Sequence, residues 1–149
     1  MQVSLAWGHT LFNGGQKMER LKLGEHHICD FSHCDRKLLL DSEHSHALFS
    51  QAVRASGLAV VDEGLYKFSP YGFTSFLLLA ESHASLHAWP EYGYCAVDIF
   101  TCNLNLDVRP LIEELRRVFG AKNVEVHKVE REANNILMPE PYLVKGWTV

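Results

Sequence analysis

Residues Phe73–Cys102 read FTSFLLLAESHASLHAWPEYGYCAVDIFTC, and this stretch decides the fold. Phe73 to Glu81 is a nearly continuous apolar strand, Phe76-Leu77-Leu78-Leu79-Ala80 at its centre, of the kind covered on both faces. Ser85 to Trp89 alternates polar and apolar residues, the period of a half-buried strand. Pro90-Glu91-Tyr92-Gly93 is a turn. Tyr94 to Cys102 is a further strand. Two tight hairpins in a row are ordinary. The hydroxyl of Ser82, the imidazole of His87 and the thiol of Cys102, all brought to strand ends, are not something a hairpin needs.

Working outward, the same sheet continues in both directions. Upstream, Leu23–Phe31 is expected to be a strand. Asp35 or Asp41 precedes apolar residues and caps a helix. Leu48, Phe49, Ala52 and Val53 recur at helical spacing up to Ala55, and Gly57 stops the helix. Leu58–Phe68 is a strand favoured by Val60 and Val61, and Ser69-Pro70-Tyr71-Gly72 is a turn. Downstream, Asp107 caps a second helix with Pro110 in its first turn, where a missing amide costs little. Leu111, Ile112, Leu115, Val118 and Phe119 form its apolar stripe, and Gly120 ends it. Val124–Val129 alternates as a half-exposed strand. After Glu132 the chain reads as loop.

These elements make an α+β fold, a two-layer sandwich with a mainly antiparallel sheet. Residues 1–20 read as a loose extension of unknown role, and 21–149 as one domain. Two helices cannot cover both faces of such a sheet, yet the run 76–80 asks for cover on both. A second copy of the chain, packed sheet to sheet, would supply it.

Bulk properties narrow the function. A chain of 149 residues can bury a real core without staples. Its net charge of -4 gives no general attraction to nucleic acid or to a membrane surface. No run of about eighteen apolar residues suggests a membrane span, and the N-terminus lacks the pattern of a secretory signal. The four cysteines, Cys29, Cys34, Cys95 and Cys102, have no disulfide-scaffold spacing. A reduced, cytoplasmic protein is expected.

One set of positions goes further. Phe68-Ser69-Pro70-Tyr71-Gly72, Ala80-Glu81-Ser82-His83, His87, Trp89-Pro90-Glu91-Tyr92-Gly93-Tyr94, Asp98 and Phe100-Thr101-Cys102 form a long, spaced signature. It resembles the short prokaryotic S-adenosylmethionine decarboxylase proenzymes, which make a pyruvoyl cofactor by cutting their own backbone. The likeness extends more weakly from about Leu21 to about Arg131.

The resemblance implies a chemistry. Removing carbon dioxide from an amino acid leaves a carbanion that no ordinary side chain can absorb, so an electron sink is required. A pyruvoyl group is such a sink. In the resembled enzymes it arises at a Glu-Ser bond, which here is Glu81-Ser82. The Ser82 hydroxyl attacks the Glu81 carbonyl, and the resulting ester is cut by β-elimination, giving fragments 1–81 and 82–149. By the same likeness His87 serves the elimination and Cys102 protonates the substrate's α-carbon. Thr74 stands where those enzymes carry a processing serine. Phe68 would stack on adenine, and Glu91 would take both ribose hydroxyls. The likeness also implies a homodimer with a shared site. Ser82 and Cys102 would come from one chain, and Phe68, Thr74, His87 and Glu91 from the other.

Taken one at a time, these residues have plainer explanations. A histidine on a strand is usually a hydrogen-bonded structural group, and a free cysteine is usually buried. Phe68 could be core and Ser82 a turn residue. Their joint match to the resembled signature is what points to catalysis; without it the same residues read only as a soluble α+β domain. His26, His27, Cys29, His33 and Cys34 crowd together, but they match no common zinc site, so no metal is expected. His44 and His46 are expected to be solvated. There is one departure from the resembled pattern. Ser32 and His33 stand where an aromatic and an acid are usual before Cys34-Asp35. That leaves two alternatives open beside S-adenosylmethionine decarboxylation: the same chemistry on arginine or ornithine, and a non-catalytic dimeric homologue.

Overall fold

The computed structural model describes residues 21–133 in full, together with the backbone of 11–13 and 16–18. The latter form a small hairpin, β1 (Leu11–Asn13) and β2 (Gln16–Met18), apart from the main sheet. The remainder of the N-terminal extension, and the tail after Ala133, lie outside the described residues.

The main sheet has six strands in the order β4-β5-β6-β7-β3-β8, each antiparallel to its neighbours. They are β3 (Leu21–Ser32), β4 (Val60–Lys67), β5 (Phe73–Leu79), β6 (Ser82–Trp89), β7 (Tyr94–Thr101) and β8 (Asn123–Ala133). Both aspartates read as caps are used. Asp35 accepts from the amides of Lys37 and Leu38 to start α1 (Arg36–Leu40), and Asp41 accepts from His44 to start α2 (Ser42–Ala55). Asp107 is not the cap expected of it: α3 (Arg109–Val118) starts from Val108, which offers no capping side chain, and Asp107, one residue earlier, accepts from the Arg109 amide in the preceding turn. Gly120 leaves α3 at φ 63. The largest change from the sequence reading is at β6, which begins at Ser82 rather than Ser85 and is joined to β5 by Ala80 and Glu81 alone.

The helices cover one face. Phe73, Leu77 and Leu79 of β5, Leu86 of β6, Val97 and Ile99 of β7 and Phe31 of β3 pack against Phe49, Leu111, Leu115 and Phe119 in one core. Each such side chain contributes about 1.5–3 kcal/mol by burial. The alternate residues of the same strands face away. Phe76 and Leu78 are 43% and 44% exposed there, so among the described residues the apolar run is covered on one face only. Ile28, Trp89 and Val129 are also exposed on this open face.

Register turns the open face into rows. Leu78, His83, Phe100, His26 and Val129 lie across one end. Tyr66, Thr74, His87, Ala96 and Asp30 lie across a row two steps further along. Trp89, Tyr94 and Ser32 close the far end. Among the described residues no helix is long and apolar enough to cross a membrane.

Candidate active site

One end of the sheet carries Ser82 and Cys102. Ser82 opens β6 at the rim, in register with Leu79 and Thr101. Cys102 follows β7 directly, with an exposed thiol. The Cys102 amide donates to the Glu81 carbonyl oxygen at 3.2 Å. That carbonyl belongs to the bond between Glu81 and Ser82. An amide aimed at it withdraws electron density and would stabilise negative charge on the oxygen if the carbonyl were attacked. Glu81 also places a carboxylate oxygen, Oε2, in the interior with no hydrogen-bond partner among the described residues.

The other end carries a second group. Thr74 Oγ1 and His87 Nδ1 are 2.8 Å apart, held by direct cross-strand pairing of β5 and β6. The neighbouring serine cannot take Thr74's place. Ser75 points into the core, where it is fully buried and bonded to His46 Nδ1 at 2.7 Å. Strand alternation therefore gives the open face to the threonine. His46 is correspondingly not solvated, contrary to expectation. Its Nε2 also faces Glu63, which Ser50 and Arg54 bond in turn. His44 is exposed, as expected.

Phe68 lies beyond the end of β4, half exposed, with its ring edge-on to Tyr66 at 5.2 Å. Gly72 fixes its neighbourhood. A Cβ on Gly72 would sit 2.8 Å from the Ala88 carbonyl oxygen, 3.8 Å from the Phe68 ring and 3.9 Å from Pro90, and φ is +93. Phe68 and the Pro90–Tyr92 turn thus both flank Gly72, and the turn presents Glu91 to solvent. Arg36 Nε donates to the Pro90 carbonyl and ties this turn to α1.

The two groups do not meet within one chain. Ser82 and His87 are five residues apart on one strand, about 16 Å, and an odd separation sends their side chains to opposite faces. The single chain holds these residues as two separate groups at opposite ends of the sheet.

The S-adenosylmethionine decarboxylase family model matches residues 25–132. The chain belongs to that family. The S-adenosylmethionine decarboxylase proenzyme of Thermotoga maritima is 38% identical over 109 residues, covering 73% of this chain and 84% of the relative. The proenzyme of Acidithiobacillus ferrooxidans is 37% identical, covering 73% and 82%. The crystal structure of the adenosylmethionine decarboxylase from Aquifex aeolicus superposes with a TM-score of 0.68 at 30% identity, covering 74% of this chain and 91% of that one.

Within this decarboxylase fold, Ser32 ends β3 beside Tyr94 and Asn123. His33 follows at φ 57, a left-handed turn with an exposed side chain. Both lie at the Glu91 end of the sheet. The crowded histidines and cysteines separate by the same alternation. His26 is on the open face, bonded to Asp98 at 3.0 Å, while His27 and Cys29 are buried on the helix side. Burial, with Asp98 and Asp30 nearby, pushes the Cys29 thiol up to about 12. The Cys34 thiol donates to the Phe31 carbonyl in the core, and its interaction with the buried Cys95 thiol lowers the pKa of Cys34 and raises that of Cys95. Tyr94 donates to Asp30, and that bond pushes its hydroxyl up to about 12. Burial alone would raise the Glu25 carboxyl, but bonds from Lys128 and Lys22 outweigh it and hold it at about 2. A cleft of about 630 Å³ opens beside Glu25 on the helix side, lined also by His27, Val108, Ile112 and Lys128. The Cys102 amide has no sequence signal, because a backbone donor is set by register and not by residue type.

Proposed function

We propose that this chain is a self-cleaving, pyruvoyl-dependent decarboxylase. It converts S-adenosylmethionine to decarboxylated S-adenosylmethionine, the aminopropyl donor for spermidine and polyamine biosynthesis. The observation that carries the reading is the Cys102 amide on the Glu81 carbonyl, next to the Ser82 hydroxyl and at the tip of a two-residue turn.

Cleavage follows from those groups. The Ser82 oxygen adds to the Glu81 carbonyl carbon, and the Cys102 amide bears the charge that develops on the carbonyl oxygen. The carbon–nitrogen bond breaks, the proton passes to nitrogen, and residues 81 and 82 are joined as an ester. His87, oriented by Thr74, removes the Ser82 α-proton; a Cα–Cβ double bond forms, the bond from Ser82 Cβ to the ester oxygen breaks, and Glu81 leaves as a carboxylate. Water then releases ammonia from the new N-terminus of residues 82–149. The residues fit the group that results: a hydroxyl at a strand start, an activated carbonyl before it and an exposed thiol beside it. The pyruvoyl group supplies the electron sink that decarboxylation of an amino acid requires. Cys102 returns a proton to the substrate α-carbon. Phe68 stacks on the purine, and the two oxygens of Glu91 accept from the ribose hydroxyls. The four unpaired cysteines agree with a reducing, cytoplasmic setting. Residues 21–149 act as one domain, with 1–20 as an extension.

Two half-sites at opposite ends of one chain call for a second chain. A two-fold axis between facing sheets, running across the strands, puts the Thr74–His87 end of one chain at the Ser82–Cys102 end of the other, twice. The exposed Phe76, Leu78, Ile28, Trp89 and Val129 supply the apolar surface for that contact. Light scattering at micromolar concentration is expected to give at least twice the 16.9 kDa chain mass. A fully active monomer overturns the shared site.

Substrate choice is tested by carbon dioxide release from S-adenosylmethionine, arginine, ornithine and lysine in parallel. S-adenosylmethionine should turn over fastest. Glu91→Gln should weaken its use by about 1.5–3 kcal/mol for each charge-assisted bond lost, roughly ten-fold or more. Faster turnover of arginine or ornithine, with Glu91→Gln neutral, would assign the site to a basic amino acid.

A further inference from the structure

His83 follows Ser82 in the signature and has no part in the cleavage chemistry above. Its ring faces the open side of the sheet. There it stacks on Phe76 at 5.7 Å with planes 19° apart, and packs on Phe100 at 5.6 Å. His26 approaches edge-on to both rings, 6.4 Å from His83 and 6.0 Å from Phe100, and is fixed by its bond to Asp98. Arg131 lies over Phe100 at 5.8 Å. The first side chain after Ser82 is therefore wedged between rings from both neighbouring strands.

The position of those rings matters once the bond is cut. Before cleavage, β6 is anchored through the turn at Ala80-Glu81. Afterwards its first residue is a free end, and free strand ends fray unless something ties them down. Phe76 lies on the 1–81 side of the cut, and Phe100 lies on the 82–149 side. The His83 ring contacts both, so it bridges the two fragments one residue from the new terminus. A misplacement of about 1 Å at a reacting group can cost on the order of a hundred-fold in rate.

We infer that His83 is a positioning residue: its ring, clamped by Phe76 and Phe100, seats the cofactor-bearing end of β6 against Cys102 after self-cleavage. This rests on the proposed pyruvoyl reading. The ring face carries the role, and the ring nitrogens do not.

The test uses the full-length wild type, His83→Ala and His83→Phe. Cleavage is read by intact mass, and exposure of the carbonyl by its rate of reaction with phenylhydrazine in the absence of substrate. Turnover is read as kcat and KM across pH. His83→Ala should still cleave, because Thr74, His87 and the Cys102 amide are untouched. Its carbonyl should react with phenylhydrazine several-fold faster, and its kcat should fall by about ten- to a hundred-fold with KM little changed. His83→Phe should return both rates to within a few-fold of wild type, with the wild-type pH profile. If His83→Ala does not fold, His83→Phe decides alone. Wild-type reactivity and pH profile support the clamp, and their loss assigns the role to a ring nitrogen. A His83→Phe variant as impaired as His83→Ala, or a His83→Ala variant with unchanged phenylhydrazine reactivity, overturns the inference. A wild type that stays uncleaved removes the pyruvoyl reading itself, an outcome distinct from all of these.

Discussion

Purified wild-type protein should separate under denaturing conditions into two fragments, 1–81 and 82–149, and Ser82→Ala should remain one chain indefinitely. This effect is close to all or none, because the hydroxyl is the attacking atom and nothing beside it can substitute. Thr101, its register partner, is buried and its hydroxyl accepts from the Asn103 amide. The thiol of Cys102 is on the wrong side of the bond to generate a carbonyl at residue 82. Two variants at Cys102 separate the roles of its side chain and its amide. Cys102→Ala keeps the N–H on the Glu81 carbonyl and should still cleave, then turn over poorly and lose activity after a few cycles through protonation at the wrong atom. Cys102→Pro removes the N–H, and cleavage should slow by about a hundred-fold or more, the usual effect of losing one oxyanion donor. Circular dichroism on the proline variant checks that β7 is intact. A wild-type chain that stays whole after long incubation and resists borohydride overturns the scheme and returns the non-catalytic reading.

The fold is legible in the sequence because its local rules agree with one another. Alternation at Ser85–Trp89, the caps Asp35 and Asp41, and the stop at Gly120 all act within a few residues. Boundaries are less legible where pairing sets them. Nothing local starts a strand at Ser82; its pairing with Thr101 on one side and Leu79 on the other does. The apolar run 76–80 reads as covered on both faces, and among the described residues only the side of Leu77 and Leu79 is covered, with Phe76 and Leu78 left exposed.

The site is legible as a set of residues and illegible as an arrangement. Thr74 and His87 are thirteen residues apart in sequence and 2.8 Å apart in space. Spacing alone does not tell Thr74 from Ser75; the register of β5 against β6 does. His46 looks like a surface residue from its helical spacing, yet it bonds a buried serine across the layer interface. Ser32 and His33 stand out in sequence as departures, and the structure adds their place, at the Glu91 end of the sheet. Any effect they have on substrate choice is exerted from the half-site proposed to hold the purine and ribose, not from the half-site that is cut.

That division makes the second large effect a matter of chain counting. His87→Ala should fail to cleave on its own, since no base removes the Ser82 α-proton, and Ser82→Ala should fail because no nucleophile is present. Co-expressed and purified as a mixed dimer through two different tags, the pair should recover cleavage. In such a dimer one site lacks both the hydroxyl and the imidazole and is dead. The other combines the Ser82 of the His87→Ala chain with the His87 of the Ser82→Ala chain, and it is complete. Only the His87→Ala chain should be cut, so about half of the protein in the mixed dimer should convert, against none in either parent. Decarboxylation should return with it at one site per dimer. If each chain cleaved itself, both chains of the mixed dimer would stay whole, because neither carries both residues. The about 16 Å between Ser82 and His87 along one extended strand rules out direct contact within a chain unless β6 unpairs from β5 and β7. Unpairing would break the core contacts of Ala84 and Leu86, both fully buried. The proposed exchange across a dimer avoids that unpairing, and the mass of the tagged fragments decides between the two routes.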